Sequence, residues 1–343
     1  MKKANQGKMV FKAMKTMGRN MCSGLSLVFL VITLVAFSLS PLPAAGSGYP
    51  NRTITLVVPL SPGGEMDTFA RAFAEPFEKL LKQPVVVINK TGGGMTVAGN
   101  YIASSKPDGY TLCMLPIQAS LTEVYSSFRE TPYSSKDLTP ISQLITTAIS
   151  VTVKGDSPWN SLEDLVEYAK KNPGTKIGTQ GVNSLGSLFM MLMAKANGTT
   201  FKTVPFRGGS KIVAALLGGH VPIGTPAYSR VRRLNQAKKL KTLALMVEER
   251  VDFDPDMPTV VEYGYKLPYV SFVGLFGPKG MPPEVVKVIE ESIRKISEDP
   301  SFRKKMISMG IQVDYKDSSS FQKKLMQDKK RLQALFKEKG LVK

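Results

Sequence analysis

Between residues 53 and 68 the chain reads TITLVVPLSPGGEMDT. Ile54, Leu56 and Val58 alternate with Thr55 and Val57, so every position is apolar or β-branched, as in a strand buried on both faces. Pro62, Gly63 and Gly64 break the run. Asp67 and Thr68 then lead into Phe69, Phe73, Phe77, Leu80 and Leu81 at helical spacing. The same device returns at once: an apolar strand at Val85 to Ile88, then Asn89, Gly92, Gly93 and Gly94, then a helical segment near Thr96 to Ala103. Pro107, Asp108 and Gly109 predict a turn before a third strand at Tyr110 to Leu115.

Farther on, Ile141 to Val153 reads as one long extended segment carrying the chain into a second domain. Ser161 with Asp164 predicts a capping box for a helix whose apolar face is Leu162, Leu165, Val166 and Ala169. A strand at Lys176 to Thr179 meets a small, polar loop from Gln180 to Ser187, followed by a helix over Leu188 to Asn197. Thr200 to Phe206 is a strand ending at Arg207, Gly208, Gly209 and Ser210. A helix over Lys211 to Leu217, a strand over Val221 to Thr225, a strongly basic helix over Tyr228 to Lys239 and a strand over Leu240 to Met246 follow. Ser271 to Phe276 is a strand returning the chain to the first domain, Pro283 to Ile296 an amphipathic helix, and Phe321 to Lys343 a basic helical tail. Strand and helix alternate throughout, which predicts an α/β protein with a mainly parallel sheet and right-handed crossovers.

In such sheets the glycine turns lie at the carboxyl edge of the strands, where ligands bind. Glycine lets backbone approach a ligand, and the first N–H groups of a helix have no partner inside it. These donors and the positive end of the helix dipole suit a carboxylate. An ordinary βα turn with no ligand is the competing reading of each turn alone.

The N-terminus changes the picture. Lys2, Lys3, Lys8, Lys12, Lys15 and Arg19 precede an apolar stretch from Leu25 to Leu39, and Pro41, Pro43 and the small residues Ala44 to Gly48 follow. That order describes a secretory signal over residues 1–48, cleaved near Ala45 to Gly48. An uncleaved membrane anchor is the alternative. The formal charge is +19; six of those cations, with no acid, belong to the leader, so +13 remains on the rest. A basic surface suits anionic solutes, and no zinc spacing, RNA-binding aromatic motif or Arg-rich block points to nucleic acid. Cys22 lies in the leader and Cys113 in an apolar strand, which leaves no intramolecular disulfide in an exported chain and reads Cys113 as a small buried hydrophobe. The single histidine, His220, reads as structural or surface. With one histidine, neither a His-rich metal site nor a triad is supported. Asp252, Asp254 and Asp256 precede Pro258 without calcium-loop spacing and read as a turn.

With these residues in hand, the chain resembles the substrate-binding proteins of tripartite tricarboxylate transporters, also called the Bug family. Three pieces carry the resemblance: YPNRTITLVVPLSPGGEMDTFAR at 49–71; QPVVVINKTGGG at 83–94 with KPDGYTL at 106–112; and PDMPTVVEYGY at 255–265 with VGLFGPKGMPPEVV at 273–286. It implies a type II periplasmic-binding fold, with two α/β lobes and a ligand cleft between them. Lobe 1 would comprise 49–148 and 266–343, and lobe 2 would comprise 149–265. It further implies a non-catalytic monomeric receptor without cofactor or metal, which captures a small organic acid or amino-acid-like solute and delivers it to a membrane permease. By that resemblance Pro62, Gly63, Gly64 and Asp67 form the first ligand loop. Asn89, Gly92, Gly93 and Gly94 form the second. Thr179, Gln180, Gly181, Asn183 and Ser184 form the opposing loop, and Arg207 serves either the ligand or the lobe surface. Glu65 departs from the pattern, standing where similar proteins have a small residue; at the mouth it would repel an anion or receive an amine. A receptor subunit presenting its ligand to a sensor, an exported hydrolase and a nucleic-acid binder are the other readings.

Overall fold

The apolar run at Ile54–Val58 forms strand β1, with four of its five side chains buried. It is flanked by two parallel partners, β2 (Val85–Asn89) and β3 (Thr111–Pro116), with Leu56 opposite both Val87 and Leu112. Helix α1 (Glu65–Leu81) follows the first glycine turn and buries Phe69, Phe73 and Phe77 against Ile54, Leu56 and Val58. In the computed structural model the described residues are 48–125, 130–181, 184–206, 208–267 and 270–338. The expected leader through Ser47, Asn183 and Arg207 lie outside the described residues. Residues 48–343 form one compact unit.

The first sheet is completed by β4 (Leu138–Thr146), β10 (Phe272–Pro278) and β11 (Gln312–Lys316), in the order β11-β4-β10-β3-β1-β2. Five strands make the second sheet: β5 (Ser150–Lys154), β6 (Thr175–Thr179), β7 (Phe201–Pro205), β8 (Ile223–Gly224) and β9 (Leu240–Leu245), in the order β7-β6-β8-β5-β9. The chain passes between the sheets after Thr146 and returns before Phe272.

Helix α2 (Thr96–Ala103) follows β2, and the short α3 (Ile117–Ser120) and α4 (Thr122–Tyr125) follow β3. Helix α5 (Leu162–Lys171) starts with the capping box expected of it: Ser161 Oγ accepts from Asp164 N at 3.1 Å, and Asp164 Oδ2 accepts from Ser161 N at 3.2 Å. Helices α6 (Leu185–Ala196), α7 (Gly209–Leu217) and α8 (Tyr228–Gln236) serve the second sheet. Helices α9 (Pro283–Glu298), α10 (Pro300–Met309) and α11 (Ser318–Glu338) complete the chain.

Three features depart from the sequence pattern. Both sheets are mixed: β10 runs antiparallel to β3 and β4, and β5 antiparallel to β8 and β9. The apolar segment expected as one strand over Ile141 to Val153 divides at Thr147–Ile149 into β4 and β5, in different sheets. There Thr147 N donates to Ser271 O, and Ile149 forms an isolated bridge with Ala227. The loop expected from Gln180 to Ser187 is shorter, because Ser184 Oγ accepts from Ser187 N and starts α6 at Leu185.

Candidate functional site

A cleft of about 1440 Å³ lies between the two sheets, its walls formed by loops that follow their strands. The first wall takes Pro62, Gly63, Gly64 and Glu65 after β1, and Gly92, Gly93, Gly94 and Met95 after β2. The facing wall takes Gln180, Gly181 and Ser184 after β6, and Gly208, Gly209, Ser210 and Lys211 after β7. Six helical starts reach this space: the N-caps Gly64, Met95, Pro116, Ser184, Gly208 and Ala227 all stand on its walls. Among the described residues only the Ser184 start carries a side-chain cap. The positive ends of these helices therefore converge on one cavity, and first-turn N–H groups are what an anion can satisfy.

Backbone geometry explains the glycines at two of these turns. Gly63 has φ +73°, and Gly93 and Gly94 have φ +53° and +59° before Met95 at +81°. Non-glycine residues seldom take such values. The tight second turn is tied by Thr96 Oγ1, which donates to Gly93 O at 2.9 Å.

Asp67 and Asn89 stand behind the wall and fix it. Asp67 is buried, and its Oδ2 accepts from Gly63 N at 2.9 Å and from Arg71 Nε at 3.1 Å. Its Oδ1 accepts from Arg71 Nη2 at 3.0 Å and from Asn89 Nδ2 at 2.9 Å. Asn89 Nδ2 also donates to Leu60 O at 2.8 Å. The Arg71 hydrogen bonds outweigh burial and, with Gly63 N–H and Asn89, hold the Asp67 carboxyl below the usual carboxylate range. Thr179 is likewise behind its loop, fully buried, where its hydroxyl donates to Gly181 O at 3.1 Å. So of the thirteen expected site residues that are described, Pro62, Gly63, Gly64, Glu65, Gly92, Gly93, Gly94, Gln180, Gly181 and Ser184 line the cleft, while Asp67, Asn89 and Thr179 support those that do.

Three charged residues line the cleft among the described residues: Glu65, Lys211 and Arg230. Lys211 and Arg230 escape the sequence reading, which gave the helix at Tyr228 only as strongly basic. Only the fold shows that its first turn opens on the cleft. Arg230 Nη1 donates to Ser210 Oγ at 2.9 Å. Burial pushes the Glu65 carboxyl above its ordinary value; the Ser229 hydroxyl and the Arg230 charge pull the other way.

The remaining candidates fall elsewhere. Cys113 is fully buried in β3, and burial raises its thiol out of the reactive range. His220 is exposed beyond the end of α7 and off the cleft wall. Asp254 accepts a hydrogen bond from the Tyr228 hydroxyl, and Glu262 pairs with Arg250 at 2.6 Å, so the loop after β9 is held by structural bonds. No cluster of three metal-ligating side chains occurs among the described residues, nor does a helix long and apolar enough to cross a membrane.

Residues 69–341 match the model of the tripartite tricarboxylate transporter family receptor. The "UPF0065 protein in gbd 5'region" of Cupriavidus necator is 30% identical over 313 residues, covering 90% of this chain and 94% of that one. Among solved structures, the periplasmic binding protein BugD superposes with a TM-score of 0.71 at 30% identity, over 85% of this chain and 99% of the other. Rpa4515 of R. palustris, solved with adipate, shares the fold with a TM-score of 0.74 at 24% identity, over 85% and 98%. The two sheets flanking a cleft are thus the two-lobe α/β fold of periplasmic binding proteins, and the chain belongs to the tripartite tricarboxylate transporter receptor family, whose members are solute-binding receptors.

Proposed function

We propose that this protein is an exported receptor that closes two lobes on a small carboxylate and delivers it to the membrane subunits of a tripartite tricarboxylate-type transporter. The observation that carries the reading is the convergence of six helical starts and two left-handed glycine turns on one cleft that holds two cations and a single acid among its described residues. That arrangement offers backbone N–H groups and net positive potential to an anion. The lobes are taken as 49–148 with 266–343, and 149–265. The solute-contacting set is drawn from Pro62, Gly63, Gly64, Glu65, Gly92, Gly93, Gly94, Gln180, Gly181 and Ser184, with Asp67, Asn89 and Thr179 in support. Rpa4515, which shares the fold at 24% identity, was solved with adipate, and a carboxylate solute agrees with that. The basic leader and apolar stretch ahead of Gly48 support export to the periplasm and cleavage near Ala45 to Gly48.

The test is thermal unfolding of the purified protein against small carboxylates, amino acids and neutral isosteres. A carboxylate at a hundred times its dissociation constant stabilises by about 2.7 kcal/mol. For a folded unit of this size that is a shift of about 4 °C. Shifts confined to carboxylates support the reading. A panel in which only neutral solutes shift the melt overturns it.

A further inference from the structure

Two hydrogen bonds tie α8 and the loop after β9 to the segment that joins α10 to β11, outside the cleft. Arg232, on α8, donates from Nη1 to Ile307 O at 3.4 Å, in the last turn of α10. Asp252 N, in the loop after β9, donates at 2.9 Å to Oε1 of Gln312, the first residue of β11. Between them Gly310 lies against α8: a Cβ there would stand 3.5 Å from Ser229 Cα and 3.6 Å from Arg232 Cδ. Arg232 is anchored from its own side, since its Nη2 donates to Phe253 O at 2.6 Å and its guanidinium lies 5.5 Å from the centre of the Phe253 ring. Neither Arg232 nor Gln312 is among the described residues that line the cleft.

The place of this contact makes it sensitive to lobe motion. Gln312 pairs in register with Thr146, the last residue of β4 before the chain crosses between the sheets. The contact therefore sits beside the crossover, at the β11 edge, and a rotation of one lobe about the crossover must stretch or slide it. Hydrogen bonds do not survive such changes in distance. The contact is also lightly built. Arg232 Nε is buried without a hydrogen-bond partner, and an unpaired buried donor offsets much of what the two bonds contribute. Water can replace so balanced a contact when the lobes move. The cleft shows which disposition the contact accompanies. Its volume of about 1440 Å³ exceeds the roughly 300–1,000 Å³ of pockets fitted to a small ligand, so the contact belongs to lobes standing apart.

We propose that the contact of α8 and the Asp252 loop with α10 and β11 is a latch that holds the lobes open: Arg232 and Gln312 fasten the solute-free protein, and solute binding releases them. The proposal rests on the reading of two lobes closing on a carboxylate and adds a control of affinity that lies outside the cleft. A latch acts on the open–closed equilibrium and touches no solute, so it changes the apparent affinity for every solute by one common factor.

The experiment compares wild type with Gln312→Ala and Arg232→Met in two measurements. The first is calorimetric titration with succinate, glutarate and adipate. The second is the distance distribution, by pulsed electron resonance, between nitroxide labels on the exposed positions Lys79→Cys and Lys171→Cys, one on each lobe, in a Cys22→Ser background. Both variants should bind every dicarboxylate that binds wild type more tightly, by one factor per variant: about threefold for Gln312→Ala and about tenfold for Arg232→Met, the worth of one or two hydrogen bonds. Without solute, the fraction of molecules outside the main wild-type distance peak should rise severalfold in both. Gln312→Ala leaves the Arg232–Phe253 bond in place and keeps the test decisive where Arg232→Met fails to fold. Unchanged affinities, weaker binding, or a factor that differs from one solute to the next overturns the latch and leaves the carboxylate reading standing. Where none of the three solutes binds wild type, the carboxylate reading fails and the labels alone decide: a raised minor population upholds the latch, and superimposable distributions overturn it.

Discussion

Asn89 Nδ2 donates to Asp67 Oδ1 at 2.9 Å, and that bond ties the end of β2 to the first turn of helix α1. Asp67 also receives Gly63 N–H, so the first glycine turn and the start of the second share one buried carboxylate. Asp67 is thus a positioning residue: its acceptor capacity is spent on Gly63, Arg71 and Asn89, and the solute-facing surface is the backbone it holds. Replacing it by Asn removes the charge that satisfies Arg71 and places an amide donor against donors. Asp67→Asn is expected to destabilise the protein by about 1–3 kcal/mol and to weaken solute binding through the freed Gly63. Urea denaturation and calorimetry check the two effects separately.

The depressed Asp67 carboxyl also has a pH signature. A carboxyl held below its unfolded value of about 3.9 adds stability that is fully present above that pH and is lost as pH falls through the folded value. The wild-type protein should therefore lose stability on acidification below about pH 4 more steeply than Asp67→Asn. Parallel acid titrations of the two melts would remove Asp67 from this account.

Adding one methyl separates turn geometry from solute contact. Gly64 has φ −74° and ψ 169°, open to any residue, and a Cβ there meets Ser61 O at 3.2 Å. Gly64→Ala is expected to change stability by less than about 1 kcal/mol and to act on solute affinity, because the methyl enters the cleft wall. Gly93 is different: φ is +53°, and a Cβ would stand 2.2 Å from Thr96 Oγ1. Gly93→Ala must break the Thr96 tie and bear left-handed strain, about 1–2 kcal/mol for the backbone alone. A melt lowered in Gly93→Ala and nearly unchanged in Gly64→Ala is the expected pair of results.

The sequence made the first wall legible and most of the second illegible, for a physical reason. A strand buried on both faces leaves a continuous apolar run, and the glycine turns after Val58 and Asn89 interrupt it visibly. Arg230 leaves no such trace. It sits on a polar helix because Pro226 and the two-residue strand β8 deliver that helix's first turn to the cleft, a non-local event. Strand β11, QVDYK, is half-buried at every position on a sheet edge, so its pattern resembles a loop. Helix α10 buries only Phe302 and Met306. The break between β4 and β5 falls inside an unbroken apolar stretch because both flanking strands are buried.

Glu123 supplies a second titrating anchor away from the cleft. Burial alone would raise its carboxyl, but the Ser135 and Ser134 hydroxyls, at 2.6 and 2.7 Å, and Lys329 bring it down to about 2. Its contribution is complete above about pH 4.5 and disappears as pH falls towards 2. It links α4, the Ser134–Ser135 turn and α11. Glu123→Gln should destabilise by about 1–2 kcal/mol at neutral pH, with the difference from wild type vanishing near pH 2. A difference constant from pH 7 to 2 would show that the charge is not what holds these elements.

Helix α11 docks on the first sheet through a glycine. A Cβ on Gly274, in β10, would stand 2.3 Å from Phe321 Cζ. Phe321 is fully buried, edge-on to Phe272 at 5.3 Å and tilted against Phe276 at 5.4 Å. The ring therefore occupies a notch that only glycine leaves in the strand. Phe321→Ala should cost about 3–5 kcal/mol through the cavity it opens, and Gly274→Ala about 1–3 kcal/mol through overpacking. In the Phe321→Ala background the added methyl has vacant space to enter, so Gly274→Ala should then cost much less or become stabilising. The double variant should be more stable than the sum of the single losses by at least about 1 kcal/mol, a coupling that contact between the two positions requires. Additive losses in a denaturation cycle would mean that α11 shifts as a body and that the notch does not set its position.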